Sequence, residues 1–218
     1  MTVRPKSPPR DRSHLLVATR STHKLRELRE ILGLRAELID LDDVGIDAEA
    51  IEDGETFEAN ASKKARFFAS LSGIPTLADD SGLEVAALGG GPGVRTRRYA
   101  GENATDEENN VKLLGALDGL EAAERGACYR CVLALALPEV RGPKGGLRIR
   151  VARGTLAGRI AVAPKGGGGF GYDPIFEPAV ERPGARTLGE WTAEAKNGIS
   201  HRGKAARRMH RILLDLGF

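Results

Sequence analysis

The stretch Leu77-Ala78-Asp79-Asp80-Ser81-Gly82-Leu83 decides the fold, because an apolar run ends there in two adjacent acids. Residues 76–79 are predicted to form a strand, and successive side chains of a strand leave opposite faces. We therefore predict different roles for Asp79 and Asp80. One anchors a turn at Ser81 and Gly82, while the other faces a cleft and binds a divalent metal or accepts a proton from water. An ordinary turn with both acids solvated is the competing interpretation.

The composition indicates a globular protein, since its 218 residues are 41% hydrophobic and suffice for a sizeable core. The 33 basic and 30 acidic residues leave a net charge of only +3, so nucleic-acid binding is not implied. No segment approaches the ~20 apolar residues that cross a bilayer, and no signal-peptide core is found, so we expect no membrane segment and a cytoplasmic location. Residues 1–13 are predicted to be a mobile tail, and residues 14–218 a single domain with two lobes.

Hydrophobic periodicity predicts interleaved strands and helices, hence an α/β protein with a mixed sheet. The predicted strands are 15–18, 36–39 and those between 127 and 162; the predicted helices are 23–32, 56–71, one after the Thr105/Glu108 capping box and one capped by Ser200. The predicted inward-facing residues are Leu25, Leu28 and Leu32; Phe57, Ala61, Ala65 and Phe68; Val111, Leu114 and Leu117; and Met209, Ile212, Leu213 and Leu216.

Two cysteines form a C-x-x-C pattern, Cys128 and Cys131, inside a run that is typical of a strand. Residues three apart on a strand point to opposite faces. Metal binding or redox chemistry needs both sulfur atoms together, so we interpret these cysteines as structural.

The loop Thr19-Arg20-Ser21-Thr22-His23-Lys24 joins the first strand to the first helix. Backbone N–H groups and the helix dipole favour an anion at such a position, and the hydroxyls and Lys24 strengthen that interpretation. Ordinary helix capping by Ser21 or Thr22 explains the same residues equally well. Both interpretations stay open on this segment alone.

Two glycine-rich segments match known phosphate motifs only formally. Residues 166–171 match G-x-G-x-x-G, but Tyr172-Asp173-Pro174 follows where a dinucleotide fold requires a long helix. Residues 198–204 match G-x-x-x-x-G-K, but Ala205 stands where a metal-binding Ser or Thr belongs. The sequence therefore predicts neither a Rossmann site nor a Walker P-loop.

The same two segments contain residues suited to a nucleobase. Phe170 lies between glycines, where an uncrowded ring can stack on a planar base, and Asp173 can accept hydrogen bonds from base or sugar. Lys196, His201 and Arg202 lie at the entry of the last helix, as donors for acceptor oxygens. A core Phe and solvated cations are the alternatives for each residue alone. Together with the acid pair and the anion loop, they indicate a nucleotide site.

With these motifs in order, the chain resembles the inosine triphosphatase family, the non-canonical purine NTP pyrophosphatases, nearly from end to end. The motifs that carry the resemblance are Thr19 to Lys24, Gly54-Glu-Thr-Phe-Glu-Ala-Asn60 with Lys64, Leu77 to Glu84, Leu88-Gly-Gly-Gly-Pro-Gly93, Arg98-Tyr-Ala-Gly101, Gly169-Phe-Gly-Tyr-Asp-Pro-Ile-Phe176 and Ser200-His-Arg-Gly203. The resemblance implies an elongated mixed sheet flanked by helices, with two lobes around an active-site cleft.

The resemblance also implies a reaction, which is the Mg²⁺-dependent hydrolysis of ITP, dITP or XTP to a monophosphate and pyrophosphate, usually by a homodimer. Glu52 and Asp80 match the metal-binding acids, and Asp80 also matches the general base. The other matched positions would bind substrate: Thr19, Arg20, Ser21, Thr22, His23, Lys24 and Lys64 at the triphosphate, Ser81 beside it, and Phe170, Gly171, Tyr172, Asp173, Lys196, His201 and Arg202 at the base. Cationic donors at the base disfavour ATP, because adenine offers an amino donor where a 6-oxo purine offers an acceptor.

One departure from the family concerns the opening loop, where Arg20-Ser21 replaces the usual Gly-Asn. Arg20 does not adopt the positive φ of glycine cheaply, and we hypothesise that it adds charge at the triphosphate instead. Two rival functions are a related pyrophosphatase with another base preference and a non-catalytic nucleotide- or RNA-binding protein. The second rival gives no reason for Glu52 and Asp80 in a cleft otherwise lined by cations.

Overall fold

The computed structural model describes residues 13–141 and 146–218. Residues 1–12 of the predicted tail lie outside the described residues, so that part stays a prediction. Ser13, the last residue of the predicted tail, is held in place, because its carbonyl accepts a hydrogen bond from the Glu37 N–H at 2.7 Å.

A six-stranded sheet forms the centre of the fold, in the order β2-β1-β3-β4-β5-β6. The strands are β1 His14–Val17, β2 Glu37–Ile39, β3 Thr76–Val85, β4 Gly126–Arg141, β5 Leu147–Ile160 and β6 Phe176–Pro178. β1 is parallel to β2 and β3, whereas β3, β4, β5 and β6 pair antiparallel. The predicted class, a mixed α/β fold, is confirmed.

The helices are α1 Thr22–Leu32, α2 Phe57–Ser72, α3 Asp106–Ala116, α4 Ala193–Ile199 and α5 His201–Asp215. Their predicted capping residues are confirmed: the Thr105/Glu108 capping box precedes α3, and the Ser200 hydroxyl accepts from the Gly203 N–H at the start of α5. The short helix α4 was not predicted from the sequence. Its seven residues are too few to show a clear hydrophobic period.

The predicted apolar faces of α1 and α2 are buried, as is Met209 of α5. The prediction for α3 was partly wrong, because Val111 is 66% exposed while Leu113 and Leu117 are fully buried. Asn109 and Asn110 belong to the buried face of α3, so that face includes two polar residues that composition alone does not assign to a core.

The turn predicted at Ser81 and Gly82 is absent, since β3 continues through both residues to Val85. β4 supplies an antiparallel partner along this length, pairing Ser81 with Cys131. Gly82 is needed for close packing rather than for a turn. An added Cβ there would lie 2.6 Å from the Gly93 carbonyl oxygen and 2.8 Å from the Phe57 ring.

Three hydrophobic clusters meet along β3. Leu77 belongs to a cluster with α1 and α5 on one face of the sheet, and Ala78 to a cluster with α2 on the other face. Leu83 and Val85 belong to a third cluster with α3, farther along the strand. Residues 79–82 therefore interrupt the core with polar groups at the junction of the three clusters.

The two cysteines lie in β4, as the strand pattern predicts. Cys131 is buried in the cluster with α1 and α5, whereas Cys128 is only partly buried, and neither forms a disulfide. Among residues 13–141 and 146–218, no helix is both long enough and apolar enough to cross a membrane.

Candidate active site

The Asp79 side of β3 faces α1 and α5 and is closely paired. The Asp79 carboxylate lies 3.0 Å from the Lys24 ammonium and 3.5 Å from the Arg202 guanidinium, and it accepts a hydrogen bond from the Ser81 hydroxyl. Burial by itself would raise the pKa of Asp79, but the charges of Lys24, Arg202 and Lys64 outweigh it and hold the pKa below its ordinary value. Asp79 is therefore an ionised anchor for two cations.

The pairing continues away from Asp79 as an ion chain, which we define as six groups of alternating charge. Arg202 also contacts Glu27 at 2.6 Å, and Lys196 bridges Glu27 at 3.1 Å and Asp173 at 2.8 Å. The members are Lys24, Arg202 and Lys196 as cations, with Asp79, Glu27 and Asp173 as carboxylates. Equal numbers of opposite charges make burial of the chain tolerable.

Glu27 was not predicted from the sequence, although it lies at the centre of the ion chain. The pKa of its carboxyl is lowered, because Arg202 and Lys196 together overcome the effect of burial. The one available signal was its position, three residues after Lys24 on the same side of α1.

The Asp80 side of β3 faces α2 and is less completely paired. The Glu52 carboxylate lies 2.6 Å from the Lys64 ammonium, and Lys64 also donates to the Asp79 carbonyl at 3.2 Å. One Asp80 oxygen, Oδ1, accepts from the Ser81 N–H at 3.0 Å. The other oxygen, Oδ2, is buried and accepts no hydrogen bond from any described residue.

Asn60 joins the Glu52 segment to this side of β3. Its Oδ1 accepts from the Gly54 N–H at 2.7 Å, and an added Cβ at Gly54 would lie 2.6 Å from that same oxygen. Asn60 also lies near enough to Asp80 to lower the pKa of its carboxyl. Gly54 is therefore required for close approach, and Asn60 lies between the segment after Glu52 and Asp80.

Burial raises the pKa of Asp80 to about 6, and the charges of Glu52 and Asp79 add to that effect, while Lys64 and Asn60 oppose it. A carboxylate with this pKa is mostly ionised at neutral pH and still takes up a proton readily. That property suits a general base.

The residues on the Asp80 side fit a Mg²⁺ ion. Mg²⁺ is usually held by one or two carboxylates together with waters and substrate phosphates. Glu52 and Asp80 supply two carboxylates, and the buried Oδ2 of Asp80 lacks a donor. Among the described residues, no group of three or more His, Cys, Asp or Glu side chains is placed so that it could hold a metal ion by itself, so the set suits a cation shared with a substrate rather than an all-protein cage.

The predicted anion loop lies at the start of α1, beside Asp79. Ser21 caps the helix, its hydroxyl accepting from the Lys24 N–H, and Thr19 Oγ1 accepts from the Ser21 N–H at 3.1 Å. Thr22 is the first residue of α1, and both Thr22 and His23 are exposed. The capping interpretation of Ser21 is thus confirmed, and it leaves the N-terminus of the helix available to an anion.

Arg20 does not adopt the backbone conformation of a glycine, because no non-glycine residue in the described ranges has a positive φ. Its guanidinium donates to the Ile46 carbonyl at 3.0 Å and the Ala48 carbonyl at 3.3 Å. Arg20 therefore ties the anion loop to the segment that leads to Glu52.

The Phe170 ring is crowded by neighbouring side chains, contrary to our expectation. It stacks on the His23 ring with centroids 5.7 Å apart, and the Lys196 ammonium lies 4.5 Å from its centroid. The Arg202 guanidinium lies 5.5 Å away. Phe170 thus joins the anion loop to the ion chain.

Asp173 and Tyr172 have structural partners beside Phe170. Asp173 is buried, and its Oδ2 accepts from the Phe170 N–H at 3.0 Å as well as from Lys196. Burial raises the pKa of Asp173 despite the charge of Lys196. Tyr172 packs in the third hydrophobic cluster, and its hydroxyl donates to the Thr96 carbonyl at 2.7 Å.

His201 is a neutral ring rather than the cation that we expected. It is buried and stacks on Tyr129 at 4.6 Å with the rings nearly parallel. Burial and the charges of Arg202 and Lys196 hold its pKa well below the ordinary value. Its Nδ1 has no hydrogen-bond partner among the described residues.

The structure thus brings together Lys24, Asp79, Ser81, Lys196 and Arg202 on one face of β3, with Phe170 and Asp173 next to them. Glu52, Lys64 and Asp80 gather on the other face. The predicted opposite facing of Asp79 and Asp80 is confirmed. The prediction that one of the two acids anchors a turn is wrong, because the strand does not turn, and Asp79, the acid left for that role once Asp80 is matched to the metal, instead anchors cations.

Comparison with known proteins identifies the family of the chain. The model of the Ham1 family matches residues 15–212. The chain belongs to the Ham1 family. This Ham1 family chain is 50% identical to a dITP/XTP pyrophosphatase of Geobacter sulfurreducens over 88% of its length and 92% of the relative.

Solved structures support the Ham1 assignment. The structure of a HAM1 protein from Coxiella burnetii matches with a TM-score of 0.81 and 38% identity, covering 93% of this chain and 98% of the other. The Staphylococcus aureus Ham1 protein matches with a TM-score of 0.79 and 34% identity, covering 93% and 99%. The resemblance deduced from the motifs is confirmed.

Proposed function

We propose that this protein is a nucleoside triphosphate pyrophosphatase that hydrolyses the non-canonical purine nucleotides dITP, XTP and ITP to the monophosphate and pyrophosphate. The observation that best supports this is the unequal pair on β3. Asp79 is fully paired, whereas Asp80 has a buried oxygen without a donor and a raised pKa. Relatives named dITP/XTP pyrophosphatase agree with that substrate class.

Glu52 and Asp80 are the residues that would hold Mg²⁺. When bound, the ion neutralises phosphate charge and lowers the pKa of a coordinated water. The ion chain on the other face already matches Lys24 and Arg202 with Asp79 and Glu27, so neither of these cations pairs with Glu52 or Asp80, and Glu52 is paired with Lys64.

In the proposed reaction, Asp80 accepts a proton from the water that attacks the α-phosphorus. The new bond joins the water oxygen to the α-phosphorus, and the bond from the α-phosphorus to the bridging oxygen breaks, so its electron pair leaves on the bridging oxygen with pyrophosphate. Lys64 lies 2.6 Å from Glu52 and is buried enough to act as a strong local charge on the triphosphate. The start of α1 offers N–H groups to the same phosphates.

The base is proposed to lie at Phe170, within reach of Lys196 and Arg202. The carboxylates of the ion chain hold both cations in fixed positions, so they need little reordering when a substrate binds. A 6-oxo group meets donors there, whereas the 6-amino group of adenine would place donor against donor.

A related pyrophosphatase with another base preference is the second candidate, and a non-catalytic nucleotide- or RNA-binding protein is the third. The donors beside Phe170 favour a 6-oxo purine as the base, and therefore favour the proposed function over the second candidate. The unpartnered Asp80 oxygen speaks against the third, because a pure binding site has no use for a buried acceptor facing phosphates.

The family resemblance also implies a homodimer, and the sequence analysis predicts a cytoplasmic location; both stay predictions. Light scattering of the purified protein would measure the oligomeric state directly, with twice the 23.3 kDa of the chain as the expected mass.

The deciding experiment measures pyrophosphate release from ITP, dITP, XTP, ATP, GTP and dTTP, with Mg²⁺ and with a chelator. We expect release from the first three only when Mg²⁺ is present. Comparable rates on ATP would favour the second candidate. No release from ITP or XTP would overturn the proposed function.

A further inference from the structure

We propose that Asp106 and Asn110 of α3 are positioning residues that hold the loop of Phe170 in place for the base. The inference rests on the proposed function, because the base is what Phe170 would contact. Both residues act through Gly171, the residue after Phe170, and neither touches Phe170 itself in the hydrogen bonds described below.

The two side chains hold both ends of Gly171. The Asp106 carboxylate accepts from the Gly171 N–H at 2.6 Å, and the Asn110 amide donates to the Gly171 carbonyl at 3.1 Å. Asp106 and Asn110 are one helical turn apart, so their side chains project from the same face of α3. We call this arrangement the Gly171 clamp.

The loop needs such a clamp because its backbone is unusually free. Residues 166–169 are all glycine, and Gly171 has a φ of +63°. Glycines lose more conformational freedom on ordering than other residues do. On the upstream side the loop is held by the Gly168 N–H on the Gly189 carbonyl at 2.9 Å and by the Phe170 N–H on Asp173.

Helix α3 is a rigid support for the clamp. Its start is fixed by the Thr105/Glu108 capping box. Asn109 is buried and binds the backbone of the preceding segment at two points. Its side chain donates to the Arg97 carbonyl at 3.0 Å and accepts from the Ala100 N–H at 2.8 Å. Leu113 of the same helix packs in the third hydrophobic cluster, so the helix that holds Gly171 is anchored in the core.

We expect the Gly171 clamp to affect binding of the base and not binding of the phosphates. The anion loop, Lys64 and Asp80 contact neither Asp106 nor Asn110 in the described hydrogen bonds and ion pairs. Loss of the clamp should therefore weaken binding of a whole nucleotide, while an inhibitor without a base, such as tripolyphosphate, binds as before.

The test compares Asp106→Ala, Asn110→Ala and the double variant with the parent protein. Losing a hydrogen bond to a carboxylate costs about tenfold in binding, and losing a neutral one costs about fivefold. We expect KM for ITP to rise by about these factors in Asp106→Ala and Asn110→Ala respectively, with kcat within about twofold and tripolyphosphate inhibition unchanged. Hydrogen exchange of residues 166–173 should also become faster.

Two further variants separate positioning from simple damage to α3. Glu107→Ala removes an exposed acid from the same turn that forms no hydrogen bond or ion pair with any described residue, so KM and exchange should stay unchanged. Asp106→Asn keeps an oxygen that can accept from the Gly171 N–H, so its KM for ITP should lie close to that of the parent and well below that of Asp106→Ala.

An unchanged KM with unchanged exchange in the double variant would overturn the clamp. So would an equal loss of tripolyphosphate binding, since that would mean general damage. If the parent releases no pyrophosphate from ITP, the proposed function fails instead. The exchange comparison then still decides whether Asp106 and Asn110 hold the loop.

Discussion

The two faces of β3 differ in how far their charges are paired before any substrate binds. On the α1/α5 face, Asp79 belongs to a chain of six alternating charges that extends to Asp173. On the α2 face, one Asp80 oxygen has no donor among the described residues, and Lys64 is the one described residue that forms an ion pair with Glu52. One strand thus has a fully paired set of charges on one face and an incompletely paired candidate site on the other.

This difference shows how adjacent carboxylates acquire opposite properties. Both are buried, and burial raises the pKa of an acid in each case. For Asp79 the nearby cations more than reverse that effect, whereas for Asp80 they do not. Asp79 therefore stabilises the fold, and Asp80 is available for chemistry at some cost to stability.

The largest expected effect is on turnover in Asp80→Asn, which keeps the shape of the side chain and removes the base. General base catalysis contributes 10² to 10⁴-fold, so we expect kcat for ITP to fall by about 10³-fold. Steady-state pyrophosphate release measures this. Turnover within tenfold of the parent would show that Asp80 is not the base.

The next effect concerns the scaffold face and is expected in Arg202→Met. This change leaves the buried carboxylates of Glu27 and Asp79 with one cation fewer, and breaking a buried ion pair costs about 3 kcal/mol or more. Urea unfolding measures the loss. Arg211→Met is the control, because Arg211 is exposed on the same helix and pairs with no described residue.

If Arg202→Met and Arg211→Met were equally stable, the ion chain would not be a scaffold. A loss confined to Arg202→Met would separate the paired face from an ordinary basic helix surface.

A smaller effect is expected in Arg20→Ala, which tests the connection between the anion loop and the Glu52 segment. The two hydrogen bonds of Arg20 are exposed, and a net hydrogen bond is worth about 1 kcal/mol. We expect the half-saturating Mg²⁺ concentration to rise about threefold, with KM for ITP unchanged. The matched control is Arg26→Ala, an exposed residue of α1.

A higher KM without a change in the Mg²⁺ requirement would instead support the hypothesis that Arg20 adds charge at the triphosphate. A higher Mg²⁺ requirement would thus assign Arg20 to support of the Glu52 segment, and a higher KM would assign it to the triphosphate.

Local patterns were enough to predict the α/β class, the main helices and the alternation of Asp79 and Asp80 across β3. The motifs, through the family resemblance, placed Glu52 with Asp80. The predicted turn failed because β4 pairs with β3 across some fifty residues of sequence, and that partner determines whether the strand continues. A local pattern of Ser and Gly contains no information about it.

The ion chain was beyond sequence reasoning for a similar reason. Glu27 and Arg202 are 175 residues apart, and their contact depends on how α1 packs against α5. The neutral state of His201 likewise depends on burial against Tyr129 and on the charges of its neighbours. Such properties arise only when distant segments come together.

The central claim, that the two acids of β3 have opposite roles, is tested most directly by urea unfolding of Asp79→Asn and Asp80→Asn with chelator present. The folded-state pKa of Asp79 lies below its unfolded value, so its stabilisation is present above that value and is lost as the pH falls. The folded-state pKa of Asp80, about 6, lies above its unfolded value, so ionisation costs stability as the pH rises from about 4 through 6.

At pH 8 we therefore expect Asp79→Asn to lower the free energy of unfolding by about 3 kcal/mol and Asp80→Asn to raise it by about 2 kcal/mol. The gain in Asp80→Asn should shrink towards zero near pH 4. A decrease in both variants at pH 8 would contradict the account, because it would make both carboxylates part of the scaffold.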